Sequence, residues 1–241
     1  MVLPGAKSSL KANHQIIMNM QFHTFDHFSS LSEALSQQWL DVIQQTPAET
    51  SFALAGGSTP APIYQQLDQL LSKTSLQHPV KLVATDERWV ADTDAQSNEG
   101  LFRRCLATSA PAHQWQLVSL KNTASTPEIA TDAIHARLSE QFPAAFSAVL
   151  LGMGTDGHIA SLFPGAPTQH DDLSCLAAVH PQTRQSRMSL SLPRLLNTER
   201  IWLVITGAEK RKILDTATAQ NLPVASLLHH AGCTIDVFWC P

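Results

Sequence analysis

The stretch AFSAVLLGMGTDGHIASLFPG, residues 145–165, joins an apolar segment to a glycine-rich turn. Residues 145–151 are almost all apolar, which predicts a strand buried on both faces, the kind found in parallel sheets. Gly152 and Gly154 then let the backbone turn sharply where the strand ends. Because α/β sheets bind ligands at the carboxyl ends of their strands, this turn is the first predicted position of a functional site.

The same alternation of strands and helices extends over the rest of the chain. Helices are predicted at 28–45, 60–71, 98–106, 128–141 and 208–219, and further strands at 51–55, 80–84, 115–120, 188–192, 201–206 and 235–239. Strands that alternate with helices of about 10–15 residues indicate βαβ units. The sequence therefore predicts an α/β fold in which a mostly parallel sheet carries helices on both faces, in a single domain over residues 21–241.

Composition argues against several classes of protein. Of the 241 residues, 44% are hydrophobic and 15% are charged, which is typical of a globular chain and not of a disordered one. The net charge of −4 argues against a basic surface for nucleic acid, and no apolar run approaches the ~20 residues of a membrane-spanning helix. Four scattered cysteines without a CxxC pair predict reduced thiols of a cytoplasmic protein, not disulfides or a zinc site.

Residues 1–20 are predicted to form a disordered extension outside that domain. The first 17 residues carry two lysines, no acidic residue and little apolar content. They contain no arginine, which argues against a transit peptide. Met18 and Met20 offer alternative natural starts, so the fold is predicted from residue 21 onward.

His158 is the strongest candidate for a catalytic group among the 11 histidines of the chain. It follows the most apolar predicted strand and lies in a glycine-rich turn at the rim of the sheet. Histidine titrates near neutral pH, so it is suited to accept a proton from a reacting group. Asp156, two residues earlier, is placed to orient the imidazole. We therefore predict that His158 is a general base.

Two further segments follow predicted strands. In LAGGSTPAPIY, residues 54–64, two glycines let the backbone approach a ligand, and the start of the next helix offers free N–H groups to an anion. An ordinary turn between a strand and a helix accounts for the same residues. In ATDERWV, residues 84–90, Arg88 is suited to bind phosphate as a planar fork. The alternative there is a solvated charged turn.

Arg187 and Lys210 complete the cationic candidates. Arg187 lies at the start of a predicted strand, and Lys210 lies in the first turn of a predicted helix. A lysine at that position opposes the helix dipole unless an anion is bound, whereas Arg211 and Lys212 are expected on a solvated face. Since the chain has no HxH, HExxH or CxxC spacing, we expect a pocket for a small anion and no metal site.

Six motifs resemble, in order, those of the 6-phosphogluconolactonase family, over residues 25–239. They are GGSTP (56–60), DER (86–88), SNEG (97–100), GMGTDGHIASLFPG (152–165), RMSLSLP (187–193) and GAEKRKIL (207–214). The resemblance implies a Rossmann-like sheet shared with glucosamine-6-phosphate deaminases and related to that of ribose-5-phosphate isomerase. It also implies hydrolysis of 6-phospho-D-glucono-1,5-lactone to 6-phosphogluconate, without a metal or other cofactor.

The resemblance also implies which residues form the site. His158 corresponds to the histidine that activates water, and Asp156 corresponds to the aspartate that accompanies it. Further substrate-binding positions implied by the motifs are Gly56, Gly57, Ser58, Thr59, Asp86 and Asn98.

Basic residues expected around the substrate phosphate are Arg88, Arg187 and Lys210. The segment HPQTRQS, residues 180–186, departs from the proline-rich approach of many relatives, so Arg184 is an alternative to Arg187. The motif that follows, MSLSLP, favours Arg187. The implied partner is a small phosphorylated sugar lactone, bound by a monomer or a weak dimer, with no nucleic acid and no membrane.

Two other functions compete with lactone hydrolysis. The related deaminases carry a glutamate where this chain has Phe163, and a tyrosine where it has Arg88. An apolar ring cannot transfer the protons that ring opening and isomerisation need, so the lactonase interpretation is favoured. A sugar-phosphate sensor without catalytic activity would need a broken site or an added DNA-binding module, and neither is evident.

Overall fold

Seven parallel strands form the central sheet. The computed structural model describes residues 20–74, 76–106, 115–166 and 172–241. Strands of the central sheet are β1 (Met20–Thr24), β2 (Thr50–Leu54), β3 (Val80–Ala84), β5 (Trp115–Leu117), β6 (Ala148–Gly152), β9 (Ile201–Thr206) and β10 (Ile235–Cys240). They lie in the order β1-β10-β9-β6-β2-β3-β5. The predicted α/β fold with a mostly parallel sheet is confirmed.

A second, smaller sheet has three antiparallel strands, β4 (Asp86–Arg88), β7 (Cys175–Val179) and β8 (Ser186–Leu190), with β8 in the middle. It was not predicted from the sequence. The β4–β8 register places Arg88 directly opposite Arg187. Like charges at opposed positions of paired strands destabilise a sheet, so this register already points to a nearby anionic group.

The described residues form seven helices. These are α1 (Phe28–Gln45), α2 (Ala61–Leu71), α3 (Asn98–Cys105), α4 (Pro127–Gln141), α5 (Leu192–Leu196), α6 (Ala208–Thr216) and α7 (Pro223–His230). Helix α2 begins one residue later than predicted, and Pro60 occupies its N-cap position without a side-chain hydrogen bond. The segment after His158 is a tight turn closed by a bridge between Ile159 and Leu162.

The order of the strands reverses between β2 and β6. From β2 the chain proceeds to β3 and then β5 on one side, whereas β6, β9 and β10 lie on the other side. Loops that leave β2 and β6 at their carboxyl ends therefore diverge and open a crevice. Leu54 pairs with Leu150 near that edge, so both glycine-rich turns start beside the crevice.

Large aromatic side chains anchor β2 beneath the crevice. Trp39 of α1 packs on Phe52 of β2 with ring centroids 5.1 Å apart, and Trp202 of β9 lies 6.0 Å from Trp39. Tyr64 of α2 is fully buried and its hydroxyl donates a hydrogen bond to the Ala55 carbonyl at 2.5 Å. The end of β2 is thus held by the core and by the helix that follows it.

The first described strand begins one residue before the predicted domain boundary. Met20, assigned to the extension, is the first residue of β1 and pairs with Ile235. This strand was not predicted, because MQFHT carries little apolar signal and is recruited as an edge strand by β10. Residues 1–19, the rest of the predicted extension, lie outside the described residues.

No helix in the described ranges is long and apolar enough to cross a membrane. All four cysteines are free thiols.

Candidate active site

A cavity of about 280 Å³ occupies the crevice at the carboxyl ends of β2, β3, β6 and β9. Its wall contains nine of the residues proposed from the sequence. They are Gly56, Gly57, Ser58, Thr59, Asp86, Arg88, His158, Arg187 and Lys210. Segments that are far apart in the chain therefore meet at one place, which is where the strand order predicts a ligand site.

His158 and Asp156 form a hydrogen-bonded pair at the rim of the cavity. The imidazole Nδ1 lies 2.5 Å from Asp156 Oδ1, and the His158 backbone N–H donates to the same oxygen at 3.2 Å. Burial acts to raise the pKa of Asp156, but the hydrogen bonds and charge of His158 outweigh it and hold this pKa below its ordinary value. An ionised Asp156 accepts a hydrogen bond from Nδ1–H of the imidazole, which leaves Nε2 unprotonated and able to accept a proton.

Gly154 is required by this pair. An alanine methyl group at position 154 would overlap the His158 imidazole and lie 2.6 Å from Asp156 Oδ1. The Gly154 N–H also donates to the His158 carbonyl at 2.9 Å, which closes the turn. Gly152, in contrast, has open space where its side chain would be.

Two glycines bring the loop after β2 to the cavity. Gly57 has a φ of +99°, a conformation that side chains rarely allow. A methyl group on Gly56 would overlap the carboxamide of Asn98. Asn98 is buried behind this loop and donates through Nδ2 to the Asp86 carbonyl at 2.6 Å. Although we expected a substrate contact, Asn98 is not among the cavity-lining residues and instead supports the loop from behind.

Asp86 and Arg187 form a buried ion pair at the cavity wall. Arg187 Nη1 lies 3.3 Å from Asp86 Oδ2, and both residues are less than 10% exposed. Burial lowers the pKa of Arg187 and the Asp86 charge opposes that effect, so the guanidinium keeps its proton. Arg184, the alternative to Arg187, lies in the exposed turn between β7 and β8 and does not line the cavity. Arg187 is therefore the arginine of this segment that faces the site.

Arg88 is fixed by its neighbour Glu87. The Glu87 carboxylate is fully buried and accepts the backbone N–H groups of Arg88, Asn98 and Glu99 at 2.7, 2.9 and 2.6 Å. Two of those donors belong to the first turn of α3, where a carboxylate is stabilising. Arg88 Nη1 donates to the Gln96 carbonyl at 2.6 Å. The two outer residues of the DER motif thus line the cavity, and its central residue anchors the motif to α3.

Lys210 enters the cavity from the first turn of α6. Burial lowers its pKa, and the charge of Glu209 partly offsets the effect. Its neighbours do not reach the site: Arg211 pairs with Asp215 and stacks over Phe22, and Lys212 is exposed. This agrees with the expectation that one basic residue of the three faces the site.

Charge in the cavity is predominantly positive. Among the described residues, its wall carries three basic side chains, Arg88, Arg187 and Lys210, against one carboxylate, Asp86. The Nε–H groups of both arginines are buried and have no acceptor within the described part of the chain. Such groups are costly to leave unpaired, so an anionic ligand that supplies oxygen acceptors fits this wall.

Ser161 and His180, near the site, had no role assigned from the sequence, and Phe163 was considered only as a difference from the deaminases. Ser161 is buried and its hydroxyl donates to Asp86 Oδ2 at 2.6 Å. Phe163 lies between two imidazoles, with centroid distances of 4.9 Å to His158 and 5.1 Å to His180. Burial and the charge of Arg187 lower the pKa of His180. Ser161 lies within the motif GMGTDGHIASLFPG, residues 152–165, but nothing in the sequence distinguishes it from other serines.

Metal ligands are not clustered in the ranges that the structure describes: no three His, Cys, Asp or Glu side chains are grouped to hold an ion. Metal independence itself stays a prediction.

Comparison with known proteins gives consistent matches over most of the chain. The family model "Glucosamine-6-phosphate isomerases/6-phosphogluconolactonase" matches residues 26–239. A 6-phosphogluconolactonase of Caulobacter vibrioides is 39% identical over 196 residues, which is 78% of this chain and 82% of that protein. A crystal structure of a 6-phosphogluconolactonase from Shewanella baltica superposes with a TM-score of 0.83 at 31% identity, covering 92% of this chain and 98% of that one.

A monomeric glucosamine-6-phosphate deaminase has the same fold, with a TM-score of 0.77 at 20% identity over 92% of this chain and 97% of that one. Since both classes of enzyme share the architecture, the fold alone does not distinguish between them.

We expect Gly154→Ala to break the His158–Asp156 pair, because the added methyl group occupies the space of the imidazole. The ¹⁵N chemical shifts of the His158 ring should lose the pattern of an Nδ1–H tautomer. Gly152→Ala is the matched control, since its methyl group meets open space. An unchanged imidazole spectrum in folded Gly154→Ala protein would contradict this description of the turn.

Proposed function

The chain belongs to the glucosamine-6-phosphate isomerase/6-phosphogluconolactonase family, and on that premise we propose that it hydrolyses 6-phospho-D-glucono-1,5-lactone to 6-phospho-D-gluconate. The observation that carries the proposal is the cavity itself, in which His158, hydrogen-bonded to Asp156, faces the same space as three basic side chains. The relatives named 6-phosphogluconolactonase support the same choice.

His158 acts as the general base. Its Nδ1 is committed to Asp156, so Nε2 removes a proton from water as the water oxygen attacks the lactone carbonyl carbon, C1. Asp156 keeps the imidazole oriented and stabilises the imidazolium that forms. General base catalysis of this kind contributes roughly 10²–10⁴-fold to rate.

Collapse of the tetrahedral intermediate completes the reaction. The bond between C1 and the ring oxygen breaks, and that oxygen takes up the proton held by His158, which yields the open-chain acid. A developing oxyanion on C1 needs hydrogen-bond donors, and we assign that role to backbone N–H groups of the glycine-rich loops. The lactone is an activated ester, so the scheme requires no metal or other cofactor.

The substrate phosphate binds the cationic wall formed by Arg88, Arg187 and Lys210, together with the loop at Gly56, Gly57, Ser58 and Thr59. A bound phosphate also reduces the repulsion between the positive charges of Arg88 and Arg187, which lie at paired positions of β4 and β8. Because it lies at the far end of the sugar from C1, the phosphate fixes the carbonyl in register with His158. Binding energy from a remote group is thus used for orientation.

The deaminase alternative requires a second acid–base group beside the histidine. In this chain Phe163 packs on the His158 ring, 4.9 Å between centroids, and is 3% exposed. An apolar ring transfers no proton, whereas it suits a substrate whose ring opens by hydrolysis alone. This contact is the specific reason to prefer the lactonase.

Other properties of the protein stay predictions. We expect a monomer or a weak dimer in the cytoplasm, with a phosphorylated sugar lactone as its partner and no nucleic acid. The expectation for residues 21–241 is a single domain that binds sugar phosphate.

Direct observation of the lactone tests the function. Freshly made 6-phosphoglucono-δ-lactone should decay faster with purified protein than without it when followed by NMR, and glucosamine-6-phosphate should release no ammonia above the blank. Ammonia release at a turnover comparable with lactone hydrolysis would establish the deaminase instead.

His158→Gln should lower kcat about 10²–10⁴-fold with little change in KM, because it removes the base but keeps a polar side chain at the rim. Steady-state kinetics of lactone hydrolysis provide the measurement, and His229→Gln, on the exposed end of α7, is the control. Near-normal turnover of a folded His158→Gln variant would refute the base assignment.

Lys210→Ala should raise KM roughly 10–100-fold while kcat changes little, since a hydrogen bond to a charged group is worth about 1.5–3 kcal/mol. Lys212→Ala removes an exposed lysine from the same helix and should leave KM unchanged. Equal hydrolysis of unphosphorylated gluconolactone by the wild-type protein would contradict the phosphate-binding role.

A further inference from the structure

Ser161 lies under the cavity, three residues after His158, and is 1% exposed. Its hydroxyl donates to Asp86 Oδ2 at 2.6 Å, and its backbone N–H donates to Ser189 Oγ at 3.2 Å. The turn that carries His158 is therefore bonded to both β4 and β8 of the small sheet.

The Asp86 carboxylate connects this serine to Arg187. Oδ2 accepts from Ser161 and from Arg187 Nη1, the latter at 3.3 Å, while Oδ1 lies 3.4 Å from Asn98 Nδ2. Arg187 Nη1 also lies 3.4 Å from Ser161 Oγ. Ser161, Asp86 and Arg187 thus form a closed triangle in which the hydroxyl is both donor and acceptor.

This triangle restricts the arginine. Nη1 contacts Asp86 and Ser161, and Nη2 lies 3.4 Å from Gln185 Oε1, so the guanidinium is held at both of these nitrogens while its buried Nε–H has no acceptor in the described residues. A carboxylate that lost its short bond from Ser161 would keep only the longer contacts to Arg187 and Asn98, and its orientation would no longer be defined.

On the basis of the proposed function, we propose that Ser161 is a positioning residue for the reaction: through Asp86 it sets the orientation of Arg187 relative to His158. It touches no reacting atom. Asp86 accordingly acts as the counter-ion that orients the arginine and not as a base. The phosphate-binding wall and the catalytic histidine are linked by one short turn and two hydrogen bonds.

Ser161→Ala removes one buried hydroxyl and tests the proposal. We expect KM for the lactone and the inhibition constant of inorganic phosphate to rise together by about tenfold, as for loss of a hydrogen bond to a charged group. The kcat should change less than about threefold, because the His158–Asp156 pair keeps its own contacts. The phosphate dissociation constant, measured by calorimetry without turnover, should rise by the same factor.

Ser36→Ala is the matched control. Ser36 is also fully buried, but its hydroxyl donates to the carbonyl of Ser32 and approaches that of Ile63, away from the triangle. It should lower the melting temperature, as Ser161→Ala does, without changing KM or phosphate binding. An equal effect of the two variants on phosphate binding would show general destabilisation and overturn the proposal.

A double substitution tests whether Ser161 acts through Arg187. In an Arg187→Ala background, Ser161→Ala should raise KM by less than about twofold, since coupled residues are not additive. Independent, multiplying effects would overturn the proposal, as would unchanged phosphate binding in Ser161→Ala.

The calorimetry also separates this proposal from the function it rests on. Wild-type protein that binds phosphate but hydrolyses no lactone would refute the function, and the effect of Ser161→Ala on binding would still decide the positioning role. Wild-type protein that binds no phosphate would overturn the positioning role directly.

Discussion

The reversal of strand order between β2 and β6 is the constraint on which the site depends. All strands of the central sheet run in one direction, so every carboxyl end opens on the same edge. At the reversal, the loops that follow β2 and β6 run in opposite directions. The space between them can hold a ligand while the core below stays packed. Each loop contains a glycine at which a side chain would overlap a neighbouring residue of the site: Gly56 against Asn98, and Gly154 against His158. The His158–Asp156 pair and the three basic side chains lie around a space that the topology creates.

Two carboxylates hold the arginines beside that space. Asp86 lines the cavity and pairs with Arg187, whereas Glu87 is buried and accepts the backbone N–H of Arg88. Burying these carboxylates is expensive unless each is hydrogen-bonded, and Glu87 accepts three backbone N–H groups for that reason. The small antiparallel sheet therefore holds Arg88 and Arg187 at fixed positions beside the cavity.

The sequence predicted most of the residues that line the cavity, but it predicted less of the strands that hold them. His158, Arg88 and Lys210 could be identified because each follows an apolar strand. That pattern involves only neighbouring residues, so it can be recognised in the sequence alone. The small sheet could not, since β4 has only three residues and pairs with β8 across about a hundred positions of the chain. Ser161 was missed for a related reason. Its importance comes from Asp86, a contact that spans 75 positions.

The single tyrosine of the chain has a consequence for binding entropy. Tyr64 ties the Ala55 carbonyl, immediately before the two glycines, to the buried face of α2. Glycine-rich backbone loses more conformational freedom on ordering than any other kind. Because Tyr64 holds the Ala55 carbonyl, the loop loses this conformational entropy when the protein folds. Ligand binding therefore does not have to compensate for it. A rigid glycine loop of this kind is prepared for a small, highly charged ligand that offers few contacts with which to order it.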